Sequence, residues 1–293
     1  MRVAVIGRGR WGGNIVRTLA TMRDVEIIDE SKDIDVILRQ QPAGVLIATS
    51  SATHAEVAVR FVEAGVPTFI EKPMATNVAD AFRIREAALR FDTTVVVGHV
   101  HLYNPAFQAA RKLLAEVGPV HAVLWEGMNN HPRIGSSVLW DWLPHGLSMA
   151  QSLLGSGPES AQASGVGKAP EFQSANAKFV IAGVPFVANV SWLSPRRRHC
   201  MTIVGEEGLL RFDDTAERKL SLCNSRGTLY PAYGQELPLT RELQAFVGAI
   251  GGGILDTVQL EREVAIVRAI AAAEESARTA SRLVAIDNYP LVP

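Results

Sequence analysis

The shortages in this chain say more than its abundances. Its 293 residues include only two cysteines, Cys200 and Cys223. Two thiols make neither a disulfide framework nor a cysteine-based metal site, which fits a reducing compartment and an expectation of no metal. An excess of charge of one sign is also missing, because 29 basic residues face 30 acidic ones for a net charge of −1. That balance leaves no electrostatic footprint for nucleic acid. No apolar run approaches the length of a membrane span. The first apolar stretch begins at Val3, which leaves no room for a signal peptide. The expectation is a soluble, cytoplasmic chain with neither a nucleic-acid nor a membrane partner. Hydrophobic residues at 47% and charged residues at 20% are ordinary for a globular protein. The length suits two domains.

What is present starts at once. Val3-Ala4-Val5-Ile6 runs into Gly7-Arg8-Gly9-Arg10-Trp11-Gly12, and Ile15, Val16 and Leu19 follow with helical spacing. Strand, glycine turn and helix form the context in which Gly-x-Gly-x-x-Gly marks a dinucleotide site. The first glycine permits the tight turn, the second lets backbone approach a pyrophosphate, and the third lets helix and strand pack closely. The phosphates then meet free N–H groups at the positive end of the helix dipole. Asp29, about twenty residues further on, stands where an acid holds the adenosine ribose. Strand and helix patterns then alternate through Ala43–Ala48, His54–Ala64, Pro67–Ile70, Ala79–Leu89 and Thr94–Val97. This alternation predicts a parallel sheet with helices on both faces. Ligands bind beyond the carboxyl ends of such strands. Gly7 to Gly12, Thr49, Glu71-Lys72-Pro73 and Gly98-His99 all fall there. Lys72, at a strand end, has a fixed backbone and a mobile ammonium, and the proline after it favours a restricted or cis linkage.

The second half opens with a helix start at Asn104-Pro105 and a strand over Val120–Met128. In Trp140-Asp141-Trp142-Leu143-Pro144-His145, Pro144 fits the first helical position. That reading puts His145 in the first turn, where the dipole disfavours an imidazolium and maintains a neutral base. Asp141 is spaced to bond the ring and set its tautomer. A purely structural pair is the alternative, and spacing alone leaves the two even. Beyond Gly157, Ala177–Ala182, Phe186–Trp192, Cys200–Val204, Leu209–Phe212 and Leu220–Leu222 read as strands of an antiparallel sheet. Two helices, Thr240–Ile250 and Gln259–Ala280, close the chain. They are too few to cover both faces of that sheet, so self-association as a dimer or tetramer is expected. Arg196-Arg197-Arg198 reads as a solvated run, with an anionic substrate group as the minority reading.

Taken in this order, the glycine loop, Ala48-Thr49, His54, Glu71-Lys72-Pro73, Gly98-His99, Asn104-Pro105 and the Asp141/His145 pair resemble the Gfo/Idh/MocA family over nearly the whole chain. Gly9-Arg10-Trp11-Gly12, Leu139-Trp140-Asp141, Pro144-His145 and Ser191-Trp192-Leu193 are most similar to its nucleotide-sugar dehydrogenase branch. The resemblance implies a Rossmann-type dinucleotide-binding domain over 1–100 and an α+β substrate-binding and oligomerisation domain with a mainly antiparallel sheet over 101–293. It implies an NAD- or NADP-dependent oxidoreductase acting on a polyol, sugar, cyclitol or nucleotide sugar, with Lys72, Asp141 and His145 as the catalytic residues. It places Gly7, Arg8, Gly9, Arg10, Trp11, Gly12, Asp29, Thr49, Ser50, His54, Glu71, Lys72, Pro73 and His99 around the cofactor.

The chain also departs from that pattern. Between Gly12 and Glu71 it is one βα unit shorter than the family norm. Ser50-Ser51 stand where Pro-Asn is common, Leu102 where arginine is frequent, and Gly146 and Ser148 where an aspartate is often found. Arg8, Arg10 and Lys32 favour a 2′-phosphate, so NAD against NADP stays open. A regulatory protein that binds cofactor without turnover is the alternative reading, and retention of all three catalytic candidates argues against it.

Overall fold

Arg2–Ile6 forms β1, buried from Val3 onward, and the chain turns at Gly7 into α1, Arg10–Leu19. The structure, a computed structural model, describes residues 1–28, 33–252 and 255–286. The elements then alternate: β2 (Glu26–Ile28), α2 (Ile34–Arg39), β3 (Gly44–Ile47), α3 (His54–Glu63), β4 (Thr68–Glu71), α4 (Val78–Arg90) and β5 (Val95–Gly98). Asp33 caps α2, accepting from the backbone of Asp35 and Val36, and Asn77 caps α4 through Asp80 N–H. Both are short polar residues that satisfy otherwise unpaired N–H groups.

The five strands pair in the order β2-β1-β3-β4-β5, and every pairing is parallel. The doubly wound order 3-2-1-4-5-6 becomes this one when its outer strand 3 is removed and the rest are renumbered. The short spacing between Gly12 and Glu71 therefore corresponds to a missing edge unit. The strand beside β1 is retained, pairing Ala4 with Ile28. The order reverses between β1 and β3, the switch point beyond which such sheets bind ligands.

Contacts divide the chain into two compact units. The first comprises Met1–Val100 with Glu236–Val267, and the second comprises His101–Gln235 with Arg268–Pro293. The helix α7 (Pro238–Gly252) thus belongs with the parallel sheet. Its Leu243 and Phe246 share a core with Val3, Val5, Ile15, Leu19, Leu46 and Phe69. The expectation that both closing helices serve the antiparallel sheet is corrected here, because an amphipathic stripe specifies burial without specifying against which sheet. The last helix, α8 (Thr257–Arg278), contributes to both units.

In the second unit, α5 (Pro105–Lys112) starts at an Asn104 cap that accepts from Ala106 N–H, with Pro105 in the first turn. Among the described residues nine strands form one sheet: β6 (Val120–Met128), β7 (Pro158–Lys168), β8 (Glu171–Ile181), β9 (Val184–Ser191), β10 (Arg198–Gly205), β11 (Gly208–Asp213), β12 (Leu220–Asn224), β13 (Gly227–Leu229) and β14 (Val284–Ala285). All pairs are antiparallel except β6 with β9. The long helix α6 (Val138–Leu154) packs on β6, β8 and β9. Gly146 makes this close approach feasible, since a Cβ there would sit 2.6 Å from the Trp125 ring.

Candidate active site

The glycine loop is built by crowding on one side and space on the other. Gly7 has φ +96, and a Cβ on it would lie 2.3 Å from the carbonyl oxygen of Ala48 at the end of β3. A Cβ on Gly12 would lie 1.8 Å from Gly7 O. Gly9 is different, with nothing within 4 Å of its Cβ position. Gly9 is the N-cap of α1, so the first backbone N–H groups of the helix lie beyond it without intrahelical acceptors. Arg8, Arg10 and Trp11 are exposed. This loop therefore offers an open, positively polarised surface of the kind an anionic pyrophosphate occupies.

Trp11 also reaches inward, its Nε1–H donating to Oε1 of buried Glu71. Burial pushes the Glu71 carboxyl up to about 7, partly offset by the Trp11 hydrogen bond and by the charge of Lys72. Because Glu71 is buried, Glu71-Lys72 is not a surface ion pair. Lys72 is half-buried, and the Lys72–Pro73 bond is cis. On α7, Glu242 is also fully buried, and neither of its oxygens has a hydrogen-bond partner among the described residues. Burial first, and then the charge of Glu71, raise its carboxyl well above the ordinary value.

Other candidates are engaged with the protein itself. His54 is buried, with Nδ1 2.9 Å from Pro73 O and Nε2 3.3 Å from Thr49 O. It ties the end of β3 to the turn after Lys72, and burial lowers its pKa. Thr49 Oγ1 accepts from Thr53 Oγ1 at 2.9 Å, and Ser50 is exposed just before the turn Ser51–Thr53. His99 meets Glu263 of α8, Nε2 to Oε2 at 2.6 Å, with both side chains buried. Asp29 and Lys32 lie outside the described residues.

In the second unit, α6 corrects the reading of Pro144. The helix starts at Val138 behind a Ser137 cap that accepts from Leu139 N–H, and Pro144 lies inside it. The acid of the first turn is Asp141, and His145 comes a full turn later. The dipole acts only near the helix end, so it favours the Asp141 carboxylate and does not hold His145 neutral. Asp141 Oδ2 accepts from Trp192 Nε1 at 2.9 Å, and its Oδ1 lies 2.8 Å from Arg133 Nη2. His145 is half-buried, with ring centroids 4.8 Å from His101 and 5.8 Å from Trp142. His101, His199, Glu242 and Glu263 were not singled out by the sequence. A signal did exist for the glutamates: Glu242 and Glu263 each interrupt an apolar stripe, at helical spacing from Leu239 and Phe246 and from Leu260 and Val267.

The chain is similar to known proteins in sequence and in fold. Residues 14–99 match a family model described as an oxidoreductase family with an NAD-binding Rossmann fold, and 107–211 match a Gfo/Idh/MocA C-terminal domain. An inositol 2-dehydrogenase of Gluconacetobacter diazotrophicus is 32% identical over 146 residues, which are 47% of this chain and 42% of that protein. The chain spans less than half the length of the curated relatives it matches. A solved structure from Magnetospirillum magnetotacticum MS-1 superposes with a TM-score of 0.82 at 29% identity, over 93% of this chain and 99% of the other. UDP-N-acetylglucosamine 3-dehydrogenase from Acidithiobacillus ferrooxidans superposes at 0.81 with 21% identity, over 94% and 99%, a likeness of fold.

Proposed function

The chain belongs to the Gfo/Idh/MocA oxidoreductase family, and from that premise we propose that it moves a hydride between NAD or NADP and a sugar, cyclitol or nucleotide sugar. The observation that carries this reading is the glycine loop, closed where Gly7 and Gly12 face protein and open at Gly9. The dinucleotide, when bound, supplies the hydride acceptor or donor. This chain's residues supply the rest. Loss of hydride from a secondary alcohol leaves a hydroxyl proton to be taken up, and His145 is its acceptor. Lys72 is the candidate cation for the alkoxide character that develops as the hydride leaves. Asp141 is a positioning residue, held by Trp192 and Arg133.

A nucleotide sugar is favoured within this class because two pieces of the branch-like pattern, Leu139-Trp140-Asp141 and Ser191-Trp192-Leu193, are joined by the Asp141–Trp192 hydrogen bond. The test is a fluorescence titration of NADH and NADPH against wild type and Gly9→Val. Saturable binding to wild type is expected, weakened tenfold or more, about 1.4 kcal/mol, by the valine. Turnover is then sought with UDP-N-acetylglucosamine and myo-inositol as first probes. Absence of saturable binding of either nucleotide to folded wild type ends the dehydrogenase reading.

A further inference from the structure

Three imidazoles of the second unit meet in one cluster, although they come from distant parts of the chain. His101 lies in the turn Val100–Tyr103, His145 in the middle of α6 and His199 on β10. His101 is central and edge-on to its neighbours, 4.8 Å from His145, 5.5 Å from His199 and 6.1 Å from Trp125 between ring centroids. His101 and His199 are buried. Imidazolium charges at such distances in a desolvated setting repel one another strongly. A second proton on the cluster therefore comes only at a large cost.

The surrounding charges decide where that proton resides. Asp214 Oδ2 lies 3.9 Å from His199 Nδ1, and Asp214 Oδ1 accepts from Asn104 Nδ2 and from Lys219 Nζ, each at 2.8 Å. Burial alone would raise the Asp214 carboxyl, but the neighbouring His199, the charge of His101 and Lys219 outweigh it and hold the group well below the usual carboxylate range. An ionised carboxylate thus stands at the far end of the cluster from His145. Arg197 Nε donates to His199 Nε2 at 3.2 Å. That nitrogen is therefore occupied as an acceptor. On the His145 side, Asp141 stands one helical turn earlier on α6 and pairs with Arg133.

We propose that His101 is a positioning residue that takes the one proton this cluster accommodates and thereby keeps His145 unprotonated and able to act as a base. This fills the role that the helix dipole cannot play for a histidine in mid-helix. Its catalytic meaning rests on the hydride-transfer reading given above, whereas the proton distribution itself does not.

The test uses the full chain with nitrogen-15-labelled histidine, without cofactor or substrate, titrated by NMR from about pH 8 to about pH 5. His101 is expected to protonate first and His145 only at lower pH. His101→Phe keeps a flat ring in the cluster but removes the charge, and should raise the His145 midpoint by on the order of one pH unit. His101→Gln, smaller and polar, should move the midpoint in the same direction and serves if the phenylalanine is poorly accommodated. Asp214→Asn should delay protonation of His101 to lower pH. A merely structural His101 would change the melting temperature and leave these midpoints in place. The proposal is overturned if His145 protonates before His101, or if its midpoint is unmoved in both His101 variants. Absence of nucleotide-dependent turnover would count against the hydride reading alone, while an unmoved midpoint in an active enzyme would count against this proposal alone.

Discussion

Glu71→Gln offers a direct measure of what the buried end of β4 costs the fold. Glu71 is buried, and its carboxyl is raised from 4.5 to about 7, chiefly by desolvation. A carboxyl raised on folding is protonated in the native chain while the unfolded chain has already ionised. Its contribution to stability is thus complete below about pH 4.5 and is lost as the pH rises through about 7. The difference of 2.5 pH units between those two values corresponds to about 3 kcal/mol at 1.36 kcal/mol per unit. Glutamine keeps the shape and still accepts from Trp11 Nε1, but it does not ionise. Urea unfolding of wild type and Glu71→Gln, followed by circular dichroism, gives the stability difference at each pH. Taking the difference removes the opposing slope of His54, whose lowered pKa makes the fold gain stability as the pH rises towards about 6.5. The variant should gain on wild type by roughly 3 kcal/mol between about pH 4.5 and pH 8. A difference that stays flat within about 0.5 kcal/mol over that range would refute the reasoning.

Three further outcomes are expected. Gly12→Ala should destabilise the first unit severely, because its Cβ would lie 1.8 Å from Gly7 O, whereas Gly9→Val should melt near wild type; thermal scans of the two variants check the contrast. Lys72→Ala should lower kcat far more than it weakens nucleotide binding, and His145→Ala should lose on the order of 10² or more in rate and alter the acid limb of kcat/KM. Steady-state kinetics beside thermal melts would expose a purely structural His145 as lost stability with kcat intact. On the face of the antiparallel sheet that presents Leu124 and Val187, these two residues are register partners and are 39% and 37% exposed. Sedimentation should show a dimer or tetramer at micromolar concentration, and a monomer there would count against that expectation.

The parallel half was legible because each of its strands is a short apolar run bounded by turn residues, and each helix carries a stripe. β7 was not legible. Pro158–Lys168 contains Glu159, Ser160, Gln162, Ser164, Gly165 and Gly167, none of them a strand former, and only Pro158, Ala161 and Ala163 are buried. Its conformation follows from pairing along the length of β8, a tertiary fact with no local signature. The His101–His145–His199 cluster was hidden for the same reason, since a turn, a helix and a strand bring it together.

The start of α6 shows how a shift of two turns changes an electrostatic argument. Proline at the first helical position is a sound prior, and it points to a start at Pro144. Ser137 is the competing signal, a capping residue seven positions earlier, followed by an apolar run that gives a buried helix no polar face to announce it. With the helix beginning at Val138, Pro144 removes only its own N–H bond to Trp140 O. The positive end of the dipole then acts on Asp141, favouring the carboxylate that holds Trp192 and Arg133. His145 falls beyond its reach. The neutral state required of a base must therefore come from its neighbours, and the His101 ring, 4.8 Å away between centroids, lies nearer than that of Trp142 at 5.8 Å.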